Sequence, residues 1–454
     1  MSAPPPQGPP GREYPRAARP ASGRGAGSPA PGGSPGGRPA EGWPGGRSPT
    51  GQHTGYPPAY RPQLGAPAPS GWGTAGYAPP ANTTGPIEQL WTPGQRTSNR
   101  LVFNVVIYVV GGIALLLALG YIALGTGLSS TSVAFVLALV PLTIVLLGVR
   151  WLDRWEPEPK TILLVALLWG AGVAVLSALV LNSAFQLWIF SRTGDQHGTM
   201  QTTAIVVAPI VEELVKGLGV LVIYLFRRQQ FDGPVDGVVY AATVAAGFAF
   251  TENILYFSQN ADFVAEVFVM RGIFSPFAHA LFTSCIGIAV GLAARSARGG
   301  VIVLAFPAGL VGAMGLHALW NGSALIGNNF LLLYALIQVP LFLAMVALLI
   351  WLRRQESKVI RARLTEYAQA GWFAPHEVDM LASMRLRSQA KLWASGYGER
   401  AKATMVSFQR NATMLAFRRQ QVLSRRLRQT VSEEELLHAV QRDRHAFAGT
   451  TLGR

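Results

Sequence analysis

Between residues 101 and 352 the chain is a succession of about eight apolar runs, each near the roughly 20 residues that a helix needs to cross a bilayer. They lie near 102–124, 131–149, 161–184, 202–226, 236–257, 272–294, 301–322 and 330–352. The pattern predicts an all-α fold: a polytopic membrane bundle of about eight transmembrane helices. Charge content agrees, because only 13% of residues are charged where soluble domains carry about 25%. The one cysteine, Cys285, falls inside a predicted span, so no disulfide framework or cysteine metal cluster is possible and the thiol reads as a small core group.

Two different tails flank this part. Residues 1–100 hold 22 of the 31 prolines and are otherwise mostly glycine, alanine, serine and arginine. Such a segment buries too little apolar surface to offset its ordering entropy, so it is expected to be a disordered tether. No apolar run follows Met1, and no cleavable signal peptide is expected. Residues 353–454 carry 19 Lys and Arg against 9 Asp and Glu. A helix start is expected at Pro375-His-Glu-Val, and Leu386 to Arg428 suits helices that lie near an anionic inner leaflet or pack on one another. The expected division is therefore 1–100, 101–352 and 353–454.

The net charge of +15 sits mainly at the two ends and in short loops, without a nucleic-acid motif. The lipid bilayer is the expected partner and nucleic acid is not. Basic residues cluster before the first run, between the second and third, and after the fourth, sixth and eighth, while the alternate loops are poor in positive charge, Arg192 and Arg271 excepted. The positive-inside rule then puts both termini in the cytoplasm of a plasma-membrane protein, which an even number of spans also requires.

Few ionisable residues lie well inside the runs: Glu212, Glu213 and Lys216 in the fourth, Glu252 in the fifth, His279 in the sixth and His317 in the seventh. Each charge costs roughly 2.5–3.5 kcal/mol to place there, and such groups commonly mark function. Glu212 and Lys216, four apart, share a helix face and can pair, and Glu213 lies on a second face; one carboxylate is expected to be neutralised by the lysine and the other left for chemistry. Counting inward from the outer loops, all four helices place their polar group in the same half of the bilayer. Glutamate and histidine suit a three-coordinate catalytic zinc with an open water position. They also suit a metal-free mechanism in which a glutamate–histidine pair activates water. Asn321, one turn after His317, is placed as an oxyanion donor in that case.

These residues carry a resemblance. Glu212-Glu213-x-x-Lys216, Phe248-Ala249-x-x-Glu252-Asn253, His279 and His317-Ala-Leu-Trp-Asn321, in that order, are similar to the motif series of the PrsW family of intramembrane proteases. The Asp153-Arg-Trp-Glu-Pro-Glu-Pro159 loop resembles that family's entry loop. The likeness covers roughly 100–325 and extends to the wider clan of CAAX-prenyl and bacteriocin-processing proteases. It implies an endopeptidase cutting in or beside the bilayer, with Glu212 or Glu213 activating water. It further implies that Glu213, His279 and His317 are metal ligands or water-holding groups, that Glu252 is a further ligand or polar support, and that Asn321 is an oxyanion donor. The substrate it implies is a membrane protein, such as a single-pass anti-sigma factor cut in stress signalling. A proton-coupled transporter or channel would also use intramembrane Glu, Lys and His, but no repeat between the halves supports it. A non-catalytic scaffold would not need the full set. Gly247 and Gly315 are expected at close helix contacts.

Overall fold

The computed structural model describes residues 97–228, 231–296, 300–325, 330–424 and 432–452. The expected disorder of the first hundred residues falls, but for 97–100, outside the described residues. The described residues are almost entirely helical and contain no strand. That is the outcome expected where no water is available and every backbone N–H must find its partner within the chain.

The membrane part comprises α1 (Thr97–Thr126), α2 (Leu128–Leu152), α3 (Lys160–Thr193), α4 (residues 196–226), α5 (Pro234–Gln259), α6 (Ala278–Arg295), α7 (Val301–Leu325) and α8 (Val339–Gln369). Among the described residues, seven stretches are long and apolar enough to cross a membrane, beside the about eight expected. The exception is α4, which is helical throughout but carries Glu212, Glu213 and Lys216 within its apolar run. Three charges remove it from any count based on composition, and they are also what makes it informative.

The hub is α5. It has the lowest hydropathy of the seven spans, 1.4 against 2.6 for α1, yet 83% of its apolar window is buried where α1 buries 22%. In a bilayer the lipid-facing helices must be the most apolar, whereas a helix wrapped by protein need only be small and smooth. Glycine makes it so. A Cβ on Gly237 would meet the Gly287 carbonyl of α6, one on Gly287 would meet the Gly237 carbonyl, and one on Gly247 would meet the Leu167 carbonyl and the Ala171 amide of α3. Gly315 differs from expectation: open space lies where its Cβ would be.

Several helices carry π turns, at Trp169–Ala174 in α3, Thr203–Val207 in α4, Val269–Phe274 before α6 and Tyr334–Gln338 before α8. Between the third of these turns and α6 the chain leaves the helix at 275–277.

At its C-terminal end α8 runs on without a break at residue 352. The helices α9 (Pro375–Leu381), α10 (Met384–Ser395), α11 (Glu399–Leu423) and α12 (Glu433–Leu452) follow it. Glu377 closes the expected start of α9 by accepting from the Ala374 amide at 2.8 Å. These helices pack on one another around Ile360, Leu364, Leu381, Met405, Phe408 and Leu415. The loop between α2 and α3 adds Trp155 to the same core.

Candidate active site

Glu212, Glu213 and Lys216 lie on the buried face of α4 beneath the π turn at Thr203–Val207. Lys216 is fully buried. Its Nζ lies 2.6 Å from Glu213 Oε1 and 3.8 Å from Glu212 Oε2, 3.2 Å from His279 Nδ1 and 4.3 Å from the centre of the Phe248 ring. Glu212 and Lys216 do pair, at 3.8 Å, but Glu213, three residues back, holds the lysine more closely. Positions three and four apart are both neighbours on a helix, so spacing alone does not choose between them. Contacts from other helices do. Glu213 also accepts from Thr283 Oγ1 of α6 at 2.9 Å and faces His317 Nδ1 of α7 at 3.0 Å.

Each imidazole is backed by a carboxylate. His317 has Glu213 at its Nδ1, and its Nε2 faces Glu212 Oε2 at 3.9 Å. His279 has Glu252 of α5 at its Nε2, 2.9 Å away, and its Nδ1 faces Lys216. The two rings meet edge to face at 5.3 Å, and Phe282 stacks on His317 at 5.1 Å. A carboxylate behind a histidine fixes the ring and its tautomer, the usual support for a metal-binding imidazole.

Arg271 accounts for one exception in the loop charges. It turns inward, pairs with Glu252 and donates from Nε to Asn253 Oδ1 at 2.8 Å. Of the three carboxylates, Glu213 and Glu252 make the close ion pairs, with Lys216 and Arg271, and Glu212 is left with Lys216 at 3.8 Å. Among the described residues its Oε1 receives only a long bond from Asn182 at 3.4 Å, and its buried Oε2 has no hydrogen-bond donor. One donor atom each from Glu212, His279 and His317 lie within 4.8 Å of one another. The chemistry of that set, together with the orphaned oxygen, fits a divalent ion, for which His279 would exchange its contact with Glu252 or Lys216. The expected set had Glu213 in place of Glu212; the structure commits Glu213 to Lys216, Thr283 and the far side of His317.

Asn321 lies outside the cluster. Its Nδ2 donates to the Ala204 carbonyl in the π turn of α4 at 2.8 Å, and no hydrogen bond from it to the acids or imidazoles occurs among the described residues. A π turn leaves carbonyls short of partners, and Asn321 satisfies one. Sequence reasoning gave no role to Thr283, Asn182, Phe282 or Arg271. Only Arg271 carried a signal, as a basic residue out of place in an otherwise acidic loop.

Residues 158–345 match the family described as PrsW family intramembrane metalloprotease. Curated relatives named "Protease PrsW" include one from Clostridioides difficile (strain 630), 32% identical over 154 residues that make up 34% of this chain and 63% of that protein. One from Geobacillus kaustophilus (strain HTA426) is 32% identical over 141 residues, 31% of this chain and 58% of that protein. One from Bacillus subtilis (strain 168) is 29% identical over 145 residues, 32% of this chain and 62% of that protein. The chain thus spans less than two thirds of the length of these relatives. No solved structure matches. The match begins at Glu158 and takes in Glu212, Glu213, Glu252, His279 and His317, so the motif series and the segment similar to the PrsW family coincide.

Proposed function

We propose that the protein is an intramembrane endopeptidase that hydrolyses peptide bonds of membrane proteins at the cluster formed by α4, α5, α6 and α7. One observation carries the reading: Glu212, His279 and His317 gather their donor atoms within 4.8 Å, and the Glu212 Oε2 among them lacks a hydrogen-bond donor. These three residues would hold a zinc-type divalent ion. When bound, it supplies Lewis-acid polarisation of the scissile carbonyl and a water of lowered pKa. Glu213 and Glu252 orient His317 and His279, respectively. Lys216 and Arg271 hold those two carboxylates in place. Glu212 Oε2 is the oxygen left to bind the ion or, without one, to take the proton of the attacking water. Asn321 acts on this site through the π turn of α4 and not as an oxyanion donor.

The basic loops support a plasma-membrane orientation with both termini cytoplasmic and the site in the outer half of the bilayer. The family resemblance supports a single-pass anti-sigma factor as substrate. Metal analysis of the purified full chain tests the core of the reading. We expect about one equivalent of zinc, lost in His317→Ala, and cleavage that stops with a chelator and returns with the metal. A fully active, metal-free and chelator-insensitive protein would overturn the ion and leave Glu212 as the base of a metal-free mechanism.

A further inference from the structure

Beside the cluster lies a cavity of about 450 Å³, walled by α2, the bend at 275–277, α6, α7 and the start of α8. That volume is within the range of about 300–1,000 Å³ typical of ligand pockets. Its lining is mostly apolar and rich in aromatic residues, among them Phe274, Phe277, Phe282, Trp320 and Phe342. A second, small polar pocket is lined by His279, Arg271 and Asn253. The two share Ser275, Pro276, Ala278 and Trp320, so one wall separates the apolar space from the imidazoles. Phe282 joins them more directly, because it lines the cavity and stacks on His317.

We propose that this cavity is the side-chain pocket that selects the substrate, an inference that rests on the protease reading above. It takes one bulky apolar or aromatic residue of a membrane-protein segment, whose backbone crosses Ser275–Ala278 to reach His279 and His317. Aromatic side chains bury about 150–250 Å² and are the natural occupants of an aromatic-lined space.

Two features fit a polypeptide better than a lipid tail. Among the described residues, Ala261–Arg295 is the only candidate span with non-helical backbone inside it, and the break at 275–277 is the shared wall. Irregular backbone at membrane depth survives where it lines a cavity, and there it can hydrogen-bond a passing chain. The buried Gln338, paired with Ser323, adds a polar group to the same lining. An acyl chain uses neither.

The test presents the full chain in detergent micelles with a pool of peptides made from a bacterial membrane fraction, with cuts read by mass spectrometry. Wild type is expected to show large apolar or aromatic residues enriched at one fixed position within a few residues of the cut. Leu319→Trp from α7 and Ile144→Trp from α2 fill the cavity from two walls. Each is expected to lower cutting of aromatic-bearing peptides at least tenfold and shift the preference to small residues, while small-residue peptides are cut as before. Cutting without any positional preference, or a preference unchanged in both variants, overturns the pocket and leaves the protease reading standing. Phospholipid retained by wild type and shed by both variants with cut sites unaltered assigns the cavity to lipid and likewise overturns it. No cutting at all above an enzyme-free control removes the protease reading, and the pocket with it.

Discussion

At Glu213 three donors converge on one fully buried carboxylate; at Glu212, one position earlier, an oxygen is left without any. The two residues should therefore fail differently. Glu213→Gln strips Lys216 of its partner at 2.6 Å and leaves a buried ammonium poorly compensated. It should lower stability by about 3–5 kcal/mol, visible in thermal unfolding in detergent. Glu212→Gln should leave the melting temperature nearly unchanged and reduce cleavage on the order of 10⁴-fold. Equal melting temperatures for the two variants would contradict the assignment. The acids and imidazoles were legible in the sequence because hydrocarbon makes each of them conspicuous. The division of labour between Glu212 and Glu213 was not, because it is decided by Thr283 and His317, which are 70 and 104 residues away.

Among the elements, α5 shows how much the chain's pattern revealed and where it stopped. Its position as a span was legible from length and apolarity. Its central place was hinted at only by its glycines and alanines, which lower its hydropathy yet let α3 and α6 approach. The π turns and the bend at 275–277 were not legible, since they depend on partners such as Asn321 at Ala204 and the Tyr334 hydroxyl at the Phe274 carbonyl, 2.8 Å away. Glycine substitutions separate the two kinds of site. Gly247→Val puts a side chain onto the backbone of α3 and should prevent recovery of folded protein, scored by monodisperse elution in detergent. Gly315→Ala enters open space and should change stability by no more than about 0.5–1 kcal/mol, in the stabilising direction if at all. A severe defect in Gly315→Ala would mean that a helix contact is missing from the account.

Across the whole molecule, the membrane part and the C-terminal helices are joined through the 153–159 loop. Trp155 enters the core of the C-terminal helices, with the Arg387 guanidinium 5.4 Å from its ring. Arg387 makes its hydrogen bonds to Gln409 and Thr413, and burial pushes it down to about 10. Loop carboxylates flank the tryptophan. Burial raises Asp153 to about 7, against the pull of the Glu158 amide. Burial, and then the neighbouring Asp232 and Asp236, raise Glu156, while burial and Asp236 raise Glu158. The folded loop therefore holds more protons than the unfolded chain across this range. Its stability is greatest below the ordinary carboxylate pKa and falls as pH rises toward about 7. Hydrogen exchange over 153–159, corrected for intrinsic rates, should show greater protection at pH 5.5 than at pH 8. Trp155→Ala should abolish that difference and loosen α9–α12. The spans and the C-terminal helices could be outlined from apolar and basic patterning, but this junction could not, because nothing local to Trp155 announces a partner more than 200 residues away. The central claim, that side chains from separate helices work as one unit, is tested most directly by cleavage rates of Glu212→Gln, His317→Ala and the double variant in bilayers. Residues of one catalytic unit lose activity non-additively, so the double variant should fall no further than the weaker single variant. Losses that multiply, or substantial cleavage surviving in either single variant, would contradict it.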